Sequence, residues 1–177
     1  TKYLSTSAVY CNDRSLETGE TYSTSSSFDF APNYRTDHDT NGAKANPSYN
    51  CTDIRDAFSV DNTSAKLTYP VSLMTADEIV FAGGTYKIIK APYAWFQSNS
   101  VGTQLPSYWW SLSPIDWFAS NAVVLGLYPS GGSLTRSTVS VTLDVRPAIS
   151  LKSCTLYSTG DGSASDPYTI KETETGC

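Results

Sequence analysis

The clearest pattern of hydrophobic positions runs from Tyr108 to Leu151. It begins with YWWSLSP, where Trp109 and Trp110 are large apolar side chains of the kind that anchor a core. Three runs follow, SNAVVLGLYP, STVSVTL and DVRPAISL, each short, rich in β-branched residues and bounded by Gly, Pro, Ser or Asp. Together they predict a sheet with one packed face, and 152–177 predicts a small hairpin that turns at Gly160-Asp161-Gly162.

A helix is predicted just upstream of this sheet. Thr75 and Glu78 have the spacing of a capping box, in which each side chain accepts a hydrogen bond from the backbone of the other residue. Ile79 and Val80 continue the apolar face, and Gly83-Gly84 is a stop signal.

The N-terminal part has a less regular pattern. Residues 51–60 place Ile54, Ala57 and Phe58 at i, i+3 and i+4, which predicts a second short amphipathic helix. Residues 1–10 suit either the end of a helix or an extended edge, and 15–50 predict a long loop. The fold class is therefore α+β, with short helices packed on a mainly antiparallel twisted sheet in a loop-rich, disulfide-stapled chain.

Length and composition narrow the class of protein. The 177 residues fit one domain, with a loop-rich part at 1–66, a helix and sheet core at 67–151 and a C-terminal hairpin and tail at 152–177. Charged residues make up only 16%, and the abundance of Ser, Thr and Tyr is typical of an extracellular surface. A net charge of −5 argues against nucleic acid, and no apolar run is long enough to span a membrane, so no membrane contact is expected. Because the chain starts at Thr1, we expect it to be a piece of a longer protein.

Four cysteines are widely spaced, without a CxxC pair. Their even number and the hydroxyl-rich composition favour two disulfides, for which three connectivities are available. We predict Cys11–Cys51 and Cys154–Cys177, because each pair lies within its own end of the chain.

A partial calcium motif lies in the N-terminal loop. Asp37, Asp39 and Asn41 match the opening of a calcium-binding loop and precede Gly42, but the twelfth position is Ser48 and not Glu. A solvated acidic turn is the preferred reading, calcium is the alternative, and no other cofactor is expected. His38 in the same stretch is interpreted as a surface residue.

Several blocks, in order, carry a family resemblance: CNDRS, LTYPVSLMTADEIVFAGG, YWWSLSP, VRPAISLK and GDGSASDPYTI. The chain resembles a large group of uncharacterised surface proteins of Gram-positive gut bacteria. Its part from YWWSLSP to VRPAISL is also similar to C-type lectin-like folds, which include formylglycine-generating-type domains and the variable proteins of retroelements. The resemblance implies that Trp109, Trp110 and Arg146 are scaffold residues. It places the binding surface on Ile115–Ala119, Tyr128–Ser133 and Arg136.

The aromatic pair Trp117 and Phe118 is expected on a loop, either tucked under the sheet or offered to a ligand. With the resemblance, the candidate ligand-binding residues are Asp116, Trp117, Phe118, Tyr128 and Arg136.

Three classes of function follow. The first is a binding or adhesion module at the cell surface, with a glycan or an extracellular protein as partner. The second is a structural surface subunit, such as the globular part of a pilin-like protein. The third is an enzyme, which is not expected: the single histidine and the absence of a GxSxG motif argue against a serine hydrolase. An oxidase of the formylglycine-generating type would require Cys154 and Cys177 as reactive thiols.

Overall fold

The computed structural model describes residues 2–36, 46–86, 108–128, 133–163 and 165–177. The elements in chain order are β1 (Tyr10–Cys11), β2 (Phe28–Asp29), α1 (Ala31–Thr36), β3 (Ala57–Phe58), β4 (Ser72–Leu73), α2 (Ala76–Phe81), β5 (Thr85–Tyr86), β6 (Trp109–Phe118), β7 (Asn121–Tyr128), β8 (Ser133–Thr138), β9 (Pro147–Ala148), β10 (Tyr157–Thr159) and β11 (Thr169–Ile170). The fold is therefore a strand-rich α+β fold with few, short helices, as the sequence predicted.

The largest sheet has the strand order β2-β6-β7-β8-β5. Its pairs are antiparallel except for β5 and β8, which run parallel. The described residues also form three two-stranded antiparallel ribbons, β1-β3, β4-β9 and β10-β11.

The core lies on one face of the large sheet. Trp109 pairs with Leu127, and Leu127 pairs with Leu134, so the three side chains share that face. All three are almost fully buried, together with Ile115 and Leu125. Ala76 and Ile79 of α2 belong to the same buried cluster. The Arg146 guanidinium lies over the ring of Trp109, 5.3 Å from the ring centre.

The predicted start and end of helix α2 are confirmed. The Thr75 side chain accepts a hydrogen bond from the Glu78 backbone at 3.1 Å, and Glu78 accepts one from the Thr75 backbone at 2.7 Å. Gly83 has a φ of 89°, a left-handed conformation that favours glycine. The backbone N–H of Gly84 then donates to the carbonyl of Ile79 at 2.8 Å, which closes the last turn.

The second predicted helix is wrong. Residues 54–56 form a turn, closed by a hydrogen bond from Asp56 N to the carbonyl of Asp53, and Ala57–Phe58 is strand β3. Ile54, the first residue of the predicted apolar stripe, is 62% exposed. Pairing with β1 outweighs the helical periodicity of so short a segment.

The N-terminal part is more regular than the predicted loop. Residues 15–50 contain β2 and α1, in which Pro32 lies in the first turn, a position that proline tolerates. Of the two alternatives for residues 1–10, the structure has the extended one, since Leu4 forms an antiparallel bridge with Leu151.

The predicted strands of the large sheet need two corrections. Ile115–Phe118 is not a loop but the end of β6, and the register of β6 shifts on both sides of Pro114, which accommodates a proline inside a strand. Strand β8 ends at Thr138, so the predicted run STVSVTL lies mostly beyond it, and only Pro147–Ala148 of DVRPAISL is strand.

Both predicted disulfides are confirmed. Cys11 is bonded to Cys51, with 5.6 Å between the Cα atoms, and Cys154 is bonded to Cys177, with 5.5 Å. The first bond joins β1 to the segment before β3, and the second joins the C-terminus to the start of the hairpin formed by β10 and β11. None of the helices in the described ranges has the length and apolar character needed to cross a membrane.

Candidate functional site

The candidate site forms where β2 pairs with the end of β6. The register sets Phe28 opposite Trp117 and Asp29 opposite Asp116. Because cross-strand partners point to the same face, Phe28 and Trp117 lie side by side. Successive residues of a strand point to opposite faces, so Asp116 and Phe118 lie on the other side of the sheet from Trp117.

The loop before β2 completes one wall. The backbone N–H groups of Ser25 and Ser26 donate to Ser23 Oγ at 3.1 and 3.0 Å, which holds the serine turn in shape. Tyr22 is anchored by its hydroxyl, which donates to the carbonyl of Arg14 at 2.7 Å, and its ring meets Phe28 edge-on at 5.4 Å.

These residues enclose a groove of about 540 Å³, which we call the Trp117 groove. Its lining residues are Tyr22, Ser23, Thr24, Ser25, Phe28 and Trp117. Three are aromatic, the other three are serine or threonine, and none of these described lining residues is charged. The groove therefore offers apolar ring surface beside neutral hydrogen-bonding groups.

An ion pair lies on the opposite face of the same strand end. A side-chain oxygen of Asp116 contacts Arg136 Nη2, and the Arg136 guanidinium lies 5.4 Å from the ring centre of Phe118. Phe118 is 57% exposed, whereas Asp116 is only 3% exposed. Four of the candidate ligand-binding residues therefore lie at this strand end but on two faces of the sheet. Trp117 is on one face, and Asp116, Phe118 and Arg136 are on the other.

The environment of Asp116 disfavours its negative charge. Burial raises the pKa of Asp116 above its usual value, Arg136 acts against this rise, and the neighbouring Asp29 adds to it. Beyond the Arg136 contact, neither carboxylate oxygen has a hydrogen-bond donor among the described residues. Arg136 is therefore the main partner of this carboxylate.

Tyr128 lies apart from both groups. It is the last residue of β7, whereas Ala122, the partner of Trp117, is near the first. Six residues of strand separate them, or about 20 Å. Tyr128 stacks on Tyr108 with ring centres 4.7 Å apart. Residues 129–132 of the predicted binding surface lie outside the described residues.

Sequence reasoning missed Tyr22, Phe28 and the turn Ser23–Ser25. Their one visible signal is the run TYSTSSSF, in which hydroxyl side chains stand between two aromatic residues. Only the pairing of β2 with β6 shows that this run lies beside Trp117.

A second polar cluster lies around Arg35 of α1. Its guanidinium donates to both carboxylate oxygens of Asp77 at 2.6 and 2.8 Å, and to Asp13 Oδ2 at 2.5 Å. Asp77 also accepts from the Ser48 backbone at 2.8 Å, and Asp13 from the Ser15 backbone at 2.9 Å. The guanidinium of Arg35 and the two carboxylates are thus paired with one another by hydrogen bonds, which indicates a structural role for the cluster.

The pKa values of this cluster agree with that role. Burial alone raises the pKa of Asp13, but hydrogen bonds from Ser15 and Arg35 outweigh it and hold the pKa below its usual value. Burial lowers the pKa of Arg35, but the hydrogen bonds and charges of Asp77 and Asp13 raise it to a net value above the usual one. Both groups therefore remain ionised in the folded chain at neutral pH.

A neighbouring cleft of about 420 Å³ is also lined by paired charges. Arg14 donates to Asp56 through its backbone N–H and through Nε, at 3.0 and 2.6 Å. Arg55 forms an exposed pair with Asp53, and the hydrogen bonds from Arg55 lower the pKa of Asp53 to about 2.

The described residues hold no group of three or more His, Cys, Asp and Glu side chains arranged for a metal ion. The partial calcium motif at Asp37, Asp39 and Asn41, and His38 within it, lie outside the described residues.

Comparisons with known proteins find no family model, curated protein or solved structure that matches this chain.

Proposed function

We propose that this protein is an extracellular binding module that holds a neutral glycan in the Trp117 groove. The observation that carries the proposal is the composition of that groove, in which three aromatic rings stand beside two serine side chains and one threonine, with no charge among them.

The chemistry of sugars suits such a groove. A pyranose ring has an apolar face of C–H groups that packs on an aromatic ring, and its rim of hydroxyls pairs with serine and threonine side chains. Binding sites for small ligands are in general apolar concave surfaces with a few placed polar groups. An acidic sugar would have no cation to pair with among the described residues of this lining, so the neutral class is favoured.

The scaffold and location belong to the same proposal. We place the module at the cell surface on a C-type lectin-like scaffold, as the family resemblance implies. Two disulfides support an oxidising compartment, because such bonds persist mainly outside the cytosol. In this proposal the carbohydrate contacts are made by the paired ends of β2 and β6 and by the loop before β2. Binding residues are often carried on loops that a rigid scaffold positions.

The test is binding of the purified chain to an array of neutral and acidic glycans, followed by calorimetry on the best ligand. We expect Trp117→Ala to weaken binding by about tenfold or more, since stacking on an aromatic side chain is worth about 0.5–1.5 kcal/mol beyond the area it buries. Trp117→Tyr should retain part of the affinity because it keeps an aromatic ring.

The matched control is Phe118→Ala, which removes an exposed ring from the next residue on the opposite face. It should leave glycan binding unchanged. Equal affinity for Trp117→Ala and the wild type, or no binding to any neutral glycan, would contradict the proposal, and loss of binding only in Phe118→Ala would place the site on the other face.

A further inference from the structure

A large apolar surface is formed by residues near the C-terminal end of the sequence, none of which lines the Trp117 groove. Strands β10 and β11 and the segment before them line a groove of about 640 Å³. Its large apolar side chains are Ile149, Leu151, Leu156, Tyr157, Tyr168 and Ile170. Each is between 37% and 68% exposed, so they form a continuous patch and not scattered surface residues.

Ile149 also lines an adjoining groove of about 360 Å³ that contains Tyr49 and Phe81. The rings of Tyr49 and Phe81 stack with their centres 4.3 Å apart, and both are strongly exposed. These two side chains and the six of the first groove make one surface, which we call the C-terminal strip.

The area of the C-terminal strip is that of a protein interface. With about 200 Å² for the full surface of a large residue, the eight exposed fractions correspond to roughly 900 Å² of exposed surface, most of it apolar. The largest apolar patch on a typical monomer is about 300–600 Å². A standard interface buries about 800 Å² on each partner, so the strip is large enough to form one.

The hairpin of β10 and β11 would be more stable if its apolar side packed against another surface. Strands β10 and β11 form a ribbon of two strands that pairs with no third strand among the described residues. Such a ribbon is marginally stable in water unless its apolar side packs against something. The Cys154–Cys177 bond fixes its base but buries none of its rings.

The charges beside the strip fit a second copy of the same chain. Lys152 directly follows Leu151, and Lys171, Glu172 and Glu174 follow Ile170. All four are exposed, and none forms an ion pair with another described residue. A surface that carries free charges of both signs around an apolar centre is self-complementary, as a two-fold interface requires, because the lysines of one copy can face the glutamates of the other.

We propose that the C-terminal strip is the interface of a symmetric dimer of this protein. The pairing buries Tyr157 and Tyr168 of both copies, and neither residue lines the Trp117 groove. It is a closed pair and not a filament, since a two-fold contact uses the same patch on both copies.

The test is sedimentation equilibrium of the full chain from about 1 µM to about 1 mM, the range in which an interface of this size is detected. We expect a concentration-dependent dimer. Tyr157→Ser and Leu156→Ser should each weaken dimerisation by about tenfold or more, as loss of a central interface side chain does. Tyr69→Ser is the matched control, because Tyr69 is 71% exposed but does not line the strip, and it should dimerise like the wild type.

Near-ultraviolet circular dichroism of each variant shows that the fold and both disulfides are kept. A monomer throughout the concentration range would overturn the proposal, and so would a dimer that the strip variants leave intact or an open-ended polymer. A monomer whose strip instead binds phosphatidylcholine vesicles in a Tyr157-dependent way would assign the surface to lipid and would also overturn it.

Discussion

The carboxylate of Asp116 is buried in the sheet, and its surroundings disfavour the ionised form. Its position in β6 buries the carboxylate on the core side of the sheet, opposite Val123, where it has Arg136 as a partner and Asp29 as a like-charged neighbour. The raised pKa means that the folded chain holds this proton more tightly than the unfolded chain does. Ionisation of Asp116 therefore costs stability as pH rises from about 3.9, the unfolded value, through the folded value.

We accordingly expect Asp116→Asn to raise the free energy of unfolding at pH 7, because the substitution removes the cost of ionising a buried carboxyl group. The gain should shrink as pH falls through the folded pKa, because the wild-type carboxyl then becomes neutral as well. Urea unfolding of both proteins between pH 3.5 and pH 7 measures this difference.

The control for that experiment is Asp56→Asn. Asp56 is also almost fully buried, but it accepts hydrogen bonds from the backbone and the side chain of Arg14. This substitution should therefore lower stability. A loss of stability at pH 7 in Asp116→Asn would mean that the pair with Arg136 outweighs the burial of the charge.

At the scale of elements, Arg35 joins parts of the chain that are far apart in sequence. Through Asp77 it ties α1 to α2, and through Asp13 it ties α1 to the segment after β1. Both carboxylates are buried, and the Arg35 side chain is only 19% exposed. The two short helices have little stability of their own, so this ion triad helps to define where they sit.

Removal of the cation should be costly. Arg35→Met keeps most of the side-chain volume but leaves two buried carboxylates without a counterion, for which we expect a loss of about 3–5 kcal/mol in the free energy of unfolding. Arg55→Met is the matched comparison, because the Arg55 side chain is 74% exposed and its pair with Asp53 is a surface pair. It should cost far less than Arg35→Met, because solvent screens an exposed ion pair. Equal losses in the two variants, measured by denaturant unfolding, would show that the triad contributes no more than a surface pair.

At the scale of the whole molecule, the two disulfides constrain different regions. Cys11–Cys51 spans 40 residues, and Ser48, just before Cys51, donates to Asp77 of the ion triad. Cys154–Cys177 spans 23 residues and holds the hairpin whose exposed side forms the C-terminal strip.

By the chain-entropy relation, each bond should contribute roughly 3–4 kcal/mol. We expect the double variant Cys11→Ser with Cys51→Ser to lose more stability than Cys154→Ser with Cys177→Ser, because only the first also loosens the ion triad. The second should instead weaken dimerisation. Thermal unfolding measures the stability of the two variants, and sedimentation measures their dimerisation. A larger loss of stability in the Cys154→Ser, Cys177→Ser variant would contradict the roles assigned to the two disulfides.

Local signals in the sequence were reliable where neighbouring residues alone decide the structure. The capping box of Thr75 and Glu78 and the two glycines after α2 are short-range features, and they were found as predicted. The disulfide pairing followed from the position of the cysteines along the chain. By contrast, Ile54, Ala57 and Phe58 had helical spacing, yet that segment pairs with β1, since a contact distant in sequence outweighed a weak local preference.

The sequence by itself therefore determined the strand-rich α+β class and indicated the pairing of the cysteines, and it named Trp117 as a candidate ligand-binding residue. Only the tertiary structure decided what surrounds Trp117, because the β2 and β6 register brings Tyr22 and Phe28 to it across about 90 residues of chain. It also decided that Asp116 and Phe118 face the other way and that the C-terminal apolar residues form one surface. The physical reason is the same in each case: strand register sets which side chains share a face, and register depends on pairing between distant segments.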